Sequence, residues 1–244
     1  MVIKNIDLII QESINQVLNE AQTTKVDNFN LVAKIMKQDD DDLFYFIEII
    51  QRKKDNLQMQ FRRQGLDNFS NKNYIKSYSV STAQELMAIK NEIIGLCEKY
   101  NARAYITINP RSKKRVDNYV QHCKNKGLFK GREYEHAAGQ HKEFNDSMFD
   151  WETLHPYGLI DMDIPNKEAQ DKLESILQRF NLKPVEMYIT PNGGKHYIMP
   201  DRVCKYLNFS EFEKYRPNNH SRRDNDPMVL FKGDAPMILY SNIR

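Results

Sequence analysis

The period of the apolar positions changes along the chain, and the changes mark its elements. In "IDLIIQESINQVLNEAQ", Ile6, Ile9, Ile10, Ile14, Val17 and Leu18 recur at near-helical spacing and predict an amphipathic helix. "LFYFIEIIQRKKDNL", which opens at Leu43 directly after four aspartates, is read as a second helix. Asp39 to Asp42 then complement its positive N-terminal end, with a metal site as the alternative use of the run. "LDNFSNKN", residues 66 to 73, reads as a connector, and beyond it strands and helices alternate. The pattern predicts a strand over 74–80, a helix over 82–99 that starts at the cap in "STAQE", a strand over 103–108 and a helix over 112–125. After a loop-rich stretch from 127 to 154, it predicts a strand over 157–164, a helix over 166–180 and a strand over 185–190. A turn, a strand over 195–199, a helix near 209–215 and short strands over 228–232 and 236–241 complete the reading. The fold class expected is α+β, or α/β, with a mixed sheet covered by helices. Residues 1–72 form a helical N-terminal region and residues 73–244 an α/β domain.

Composition narrows the class. The chain has 244 residues, 40% of them hydrophobic and 28% charged, enough for one large domain or a domain with an appendage. No apolar run reaches the roughly 20 residues that span a bilayer. The start "MVIKNIDLIIQES" has too short an apolar stretch and too early an acid for a secretory signal, so a cytoplasmic protein with no membrane partner is expected. Cys97, Cys123 and Cys204 are isolated, which points to core or surface thiols rather than a zinc knuckle or disulfide framework. A formal charge of +3 is compatible with a polyanionic partner.

Two stretches carry candidate chemistry. In "GLIDMDIP", Ile160, Met162 and Ile164 alternate with Asp161 and Asp163. On a strand the apolar side chains enter the core and both carboxylates leave the opposite face. Alternate residues lie about 6 to 7 Å apart, so the two acids can share one divalent ion or bridge two. Their mutual repulsion favours a cation between them. The second stretch, "EMYITPNGGKHYIM", has the form of a β-hairpin in which Pro191, Asn192, Gly193 and Gly194 supply the turn. A glycine turn lets backbone N–H groups approach a phosphate, with Lys195 and His196 adding charge or donors beside it. A third stretch, "YITINPRSKKR", ends a strand at Asn109-Pro110 and presents Arg111, Lys113, Lys114 and Arg115, a basic cluster suited to a template phosphate or a nucleotide. "HSRRD", residues 220–224, is a smaller basic spot. Phe144, Phe149, Trp151 and Tyr157 are candidates for base stacking or for core packing.

Together these stretches resemble the catalytic core of the archaeo-eukaryotic primase superfamily, the primase-polymerases of plasmids, phages and mobile elements. The likeness covers about residues 100 to 244. It rests on a strand with hydrophobic-Asp-x-Asp, then a helix and a strand, then a small-residue turn ending in x-His. The resemblance implies a primase-polymerase-like core and a metal-dependent nucleotidyltransferase in replication. Its cofactors would be two Mg2+ or Mn2+ ions, and its partners a single-stranded DNA or RNA template, nucleoside triphosphates and a separate helicase. Carried over by position, Asp161 and Asp163 hold metal and act in catalysis, and His196 contacts the triphosphate. Lys195, Gly193, Gly194 and Arg111 would assist in nucleotide binding. Gly194 stands where the family's second motif usually has serine. The third metal-binding acid has no clean match; Asp234 in "LFKGDAPMILY" is the first choice, with Asp226 and Asp224 as competitors. Two other classes stay open: a non-catalytic nucleic-acid-binding replication accessory protein, and a metal-dependent nuclease using the same two acids.

Overall fold

The computed structural model describes residues 25–36, 40–52, 72–127, 157–162, 166–191, 193–200, 229–231 and 235–242. Within them the chain forms β1 (Val26–Asp27), α1 (Phe29–Ile35), β2 (Leu43–Arg52), β3 (Lys72–Val80), α2 (Ala83–Ala88) and α3 (Lys90–Tyr100). It continues through β4 (Arg103–Thr107), β5 (Arg111–Ser112), α4 (Lys113–Asn125), β6 (Tyr157–Met162) and α5 (Lys167–Arg179). β7 (Glu186–Ile189), β8 (Lys195–Pro200), β9 (Val229–Phe231) and β10 (Pro236–Ser241) follow. The helices expected around residues 6–18 and 209–215 lie outside the described residues.

The strands form two sheets and the class is α+β. The larger runs β1-β10-β4-β2-β3, with β5 also on β2, and the smaller runs β7-β8-β6-β9. The expectation of a mixed sheet is corrected, since every pairing described is antiparallel. The second helix expected from Leu43 onward is corrected too, because Leu43–Arg52 is strand β2. Six aromatic or β-branched residues, Phe44, Tyr45, Phe46, Ile47, Ile49 and Ile50, fit a pleated ladder better than a helix. β2 is hydrogen-bonded on one edge to β3 and on the other to β4. β1 and β2, which lie within residues 1–72, thus belong to the same sheet as β3, β4 and β10.

Alternation along β2 feeds two cores. Tyr45, Ile47 and Ile49 pack with Ala104, Ile106, Met237 and the buried faces of α1, α2 and α3. Phe44 and Phe46 pack instead with Val116 of α4. In the smaller sheet, Ile160, Met162, Tyr197 and Met199 meet Ala169, Leu173 and Leu177 on one stripe of α5. The alternate residues Leu159 and Ile198, with Tyr188, join the core of the larger sheet. Cys97 and Cys123 are buried thiols, and burial pushes Cys97 up to about 12; Cys204 lies outside the described residues. Among the described residues no helix is long and apolar enough to cross a membrane.

The aspartate run does meet a helix N-terminus, though not that of an adjacent helix. Asp42 Oδ1 accepts from the backbone N–H of Lys114 at 2.9 Å, and Asp42 Oδ2 accepts from Ser112 Oγ at 2.5 Å. Ser112 in turn caps α4 by accepting from the Arg115 N–H at 3.2 Å. A carboxylate at this end offsets the unfavourable placement of Lys113, Lys114 and Arg115 against the helix dipole.

Asn109, just past the end of β4, ties the two sheets together. Its amide oxygen accepts from the Tyr157 N–H at 3.0 Å and its amide nitrogen donates to the Tyr157 carbonyl at 2.7 Å. The side chain thereby acts as a strand partner for the first residue of β6, the strand that carries Asp161. Asn109 is fully buried, and deleting its amide removes the partner of two backbone groups of Tyr157. Asn109→Ala is expected to destabilise the fold by about 2 to 4 kcal/mol in denaturant unfolding. A change below about 0.5 kcal/mol, the range of ordinary surface substitutions, would contradict the tie.

Candidate functional site

The hairpin turn sets the site's first pairing. Thr190 N–H donates to the Gly194 carbonyl at 2.8 Å and Gly193 N–H donates to the Thr190 carbonyl at 2.9 Å. Gly193 has φ of 78°, a conformation that favours glycine. With the turn closed over Thr190–Gly194, Ile189 faces Lys195 and Tyr188 faces His196. β8 pairs on its other edge with β6, where Asp161 faces His196. Residues directly opposite share a face of the sheet, so Tyr188, His196 and Asp161 form one row across three strands.

Close polar contacts run the length of the row. His196 Nε2 lies 2.7 Å from Asp161 Oδ1, and His196 Nδ1 lies 2.5 Å from the Tyr188 hydroxyl. The Tyr188 oxygen accepts from the backbone N–H of Ile238 at 3.1 Å, which anchors the row to β10 of the larger sheet. β10 shifts register against β4 between Ile238 and Tyr240, so the anchor sits at an irregularity in that strand. Asp161, Tyr188 and His196 are 4%, 6% and 8% exposed. The carboxylate therefore leaves the face opposite Ile160 and Met162, as alternation requires, and meets the interior between the sheets rather than bulk water.

Proton inventory fixes the roles within the row. The Tyr188 hydroxyl already accepts from Ile238, and its own O–H needs an acceptor at a fully buried position. His196 Nδ1 lies within hydrogen-bond distance of that O–H. Burial pushes the Tyr188 phenol well above its usual range; the Ile238 N–H opposes this, and the nearby Asp161 and Tyr105 add to it. Tyr188 thus remains a hydroxyl donor throughout the ordinary pH range.

The other expected residues divide. Lys195 alternates with His196 along β8 and shares its face with Tyr197 and Met199, which pack against α5. It therefore stands on the opposite side of the sheet from Asp161 and His196. Gly193 and Gly194 form the turn, where the Gly193 N–H is used internally. Arg111 is 3% exposed on β5 and donates from Nη1 to the Asn109 carbonyl at 3.3 Å, beside the tie between the sheets. Lys113 and Lys114 are exposed at the start of α4, and Lys113 Nζ reaches the Asp41 carbonyl at 2.7 Å. Tyr157 opens β6 and packs at the margin of the main core. Asp163, Asp224, Asp226, Asp234, Phe144, Phe149, Trp151 and residues 220–224 lie outside the described residues.

Neither a scan against family models nor searches of curated proteins and solved structures found a match.

A divalent ion would find one suitable ligand in the described part of the site. Asp161 offers a hard carboxylate oxygen of the kind that suits Mg2+ or Mn2+. Sequence reasoning found Asp161 and His196 but missed Tyr188 and the Ile238 N–H. Tyr188 was within reach, because counting outward from the glycine turn pairs it with His196.

The row implies strong coupling. His196→Ala leaves a buried carboxylate and a buried phenol short of a partner, so a loss of about 2 to 4 kcal/mol is expected in denaturant unfolding. A double-mutant cycle with Asp161→Ala should show a coupling of about 1 to 3 kcal/mol. Additive losses would mean that the two side chains do not interact.

Proposed function

We propose that the chain is a divalent-metal-dependent nucleotidyltransferase of primase-polymerase type. It would join nucleoside triphosphates on a single-stranded DNA or RNA template in phage or mobile-element replication. One observation carries the reading. The first acid of the hydrophobic-Asp-x-Asp strand and the histidine after the small-residue turn, distant in sequence, stand side by side on neighbouring strands with 2.7 Å between them. A sequence likeness alone does not require that meeting.

In this reading Asp161, with Asp163 and Asp234, would hold Mg2+ or Mn2+. The ion, when bound, supplies Lewis acidity to the α-phosphate and lowers the pKa of the attacking 3′-hydroxyl. His196 brings a single N–H donor, Nε2–H, to the carboxylate's side of the sheet, where it can pass to a phosphate oxygen. Burial of the row keeps that donor in a medium where a hydrogen bond to charge is worth more than in water. Lys113 and Lys114, exposed and with their helix end neutralised by Asp42, are suited to the phosphate backbone of a template.

A non-catalytic replication accessory protein is the second reading, favoured by a specific feature: His196 is engaged within the protein, with Nδ1 on the Tyr188 hydroxyl and Nε2 2.7 Å from Asp161 Oδ1. Nucleotide incorporation on single-stranded DNA with Mg2+ or Mn2+ separates the two. Native protein is expected to give metal-dependent products, and Asp161→Ala to reduce the rate at least about a hundredfold, as when one transition-state charge contact is removed. Native protein that binds DNA in a salt-dependent manner without turnover would establish the accessory role. Cleavage of DNA in the absence of nucleotides would establish a nuclease.

A further inference from the structure

The row contains a residue that has no place in the two motifs that suggested the function. Tyr188 touches His196 edge-on, with ring centroids 4.9 Å apart and planes at 74°, and its hydroxyl bonds to Nδ1. Two things limit how the imidazole can sit. Edge-on packing restrains the ring, and the Ile238 N–H restrains the hydroxyl. The Ile238 N–H fills one lone pair of the phenol oxygen, so the phenol proton points to His196. Were the imidazole to carry its proton on Nδ1, the phenol would have to accept from it, and its own O–H would lose this acceptor at a buried position.

We propose that Tyr188 is a positioning residue that locks His196 as the Nε2–H tautomer and aims that N–H at the catalytic side of the row. The lock is independent of Asp161, whose Oδ1 lies 2.7 Å from Nε2. Three groups act in series: a backbone N–H of the larger sheet orients a phenol, the phenol orients an imidazole, and the imidazole presents one donor. The part of this that concerns nucleotide rests on the nucleotidyltransferase reading, where the acceptor for Nε2–H becomes a phosphate oxygen. The part that concerns the tautomer does not.

The test follows that division. In full-length protein labelled with 15N-histidine, the His196 resonances are identified by their loss in His196→Ala, and the ring nitrogens report the tautomer directly. Native protein at neutral pH is expected to show a protonated Nε2 and a bare Nδ1. Asp161→Ala is expected to keep that pattern, because Tyr188 sets it, whereas Asp161→Ala with Tyr188→Phe is expected to average between tautomers. An Nδ1–H tautomer in native protein would overturn the proposal whatever the variants do. So would loss of the preference in Asp161→Ala alone, or its retention in the double variant. On the activity side, Tyr188→Phe keeps the ring and its packing. It is expected to lower kcat/KM for nucleotide by about tenfold or more, the effect of losing an orienting partner. Should native protein incorporate no nucleotide, the functional reading falls while the tautomer result stands on its own.

Discussion

A buried imidazole needs a partner at each nitrogen, and the placing of those partners organises the region between the sheets. His196 has a phenol on one side and a carboxylate on the other because β8 lies between β7 and β6 in fixed register. A slip of one residue would turn His196 to the α5 face and put Tyr197 or Lys195 beside Asp161. The apolar residues forbid that slip. Ile160, Met162, Tyr197 and Met199 must stay on the α5 side, where Ala169, Leu173 and Leu177 cover them. Hydrophobic burial on one face thus holds a polar row in place on the other.

The row also depends on how the sheets are joined. Asn109 fixes the start of β6 through both hydrogen-bonding groups of Tyr157, and Ile238 fixes the far end of the row through Tyr188. Both ties rest on side-chain hydrogen bonds, two made by Asn109 and one accepted by the Tyr188 hydroxyl. Each falls at the edge of regular structure, Asn109 beyond the end of β4 and Ile238 at the register shift of β10. Irregular backbone is where groups are released from their own ladder to reach another sheet.

Much of this was legible in the sequence. The hairpin around Gly193, the capped helix at Thr82, the strand that carries Asp161 and the apolar stripe of α5 follow from local periodicity and turn chemistry, and they stand where expected within a residue or two. β2 was not legible as a strand, because a central strand buried on both faces loses the alternation that distinguishes it from a buried helix. The aspartates before it were assigned to the wrong helix for the same reason, since their true partner, α4, lies some seventy residues downstream. Lys195 was read together with His196 from proximity in sequence. Neighbours on a strand face opposite ways, so a motif read as Lys-His divides between two surfaces. The meeting of Asp161 with His196 is a long-range register that no local pattern encodes.

Asp161 carries the central claim, because the functional reading requires its carboxylate to serve a cation as well as His196. Mn2+ binding, followed by electron paramagnetic resonance in the presence of a non-hydrolysable nucleoside triphosphate, tests it most directly. The account predicts that native protein binds Mn2+ with nucleotide and that Asp161→Ala weakens this by more than the roughly 10- to 100-fold loss typical of removing an outer-shell partner. Equal affinity in native protein and Asp161→Ala would contradict it, and would leave the row as a device that holds two sheets together.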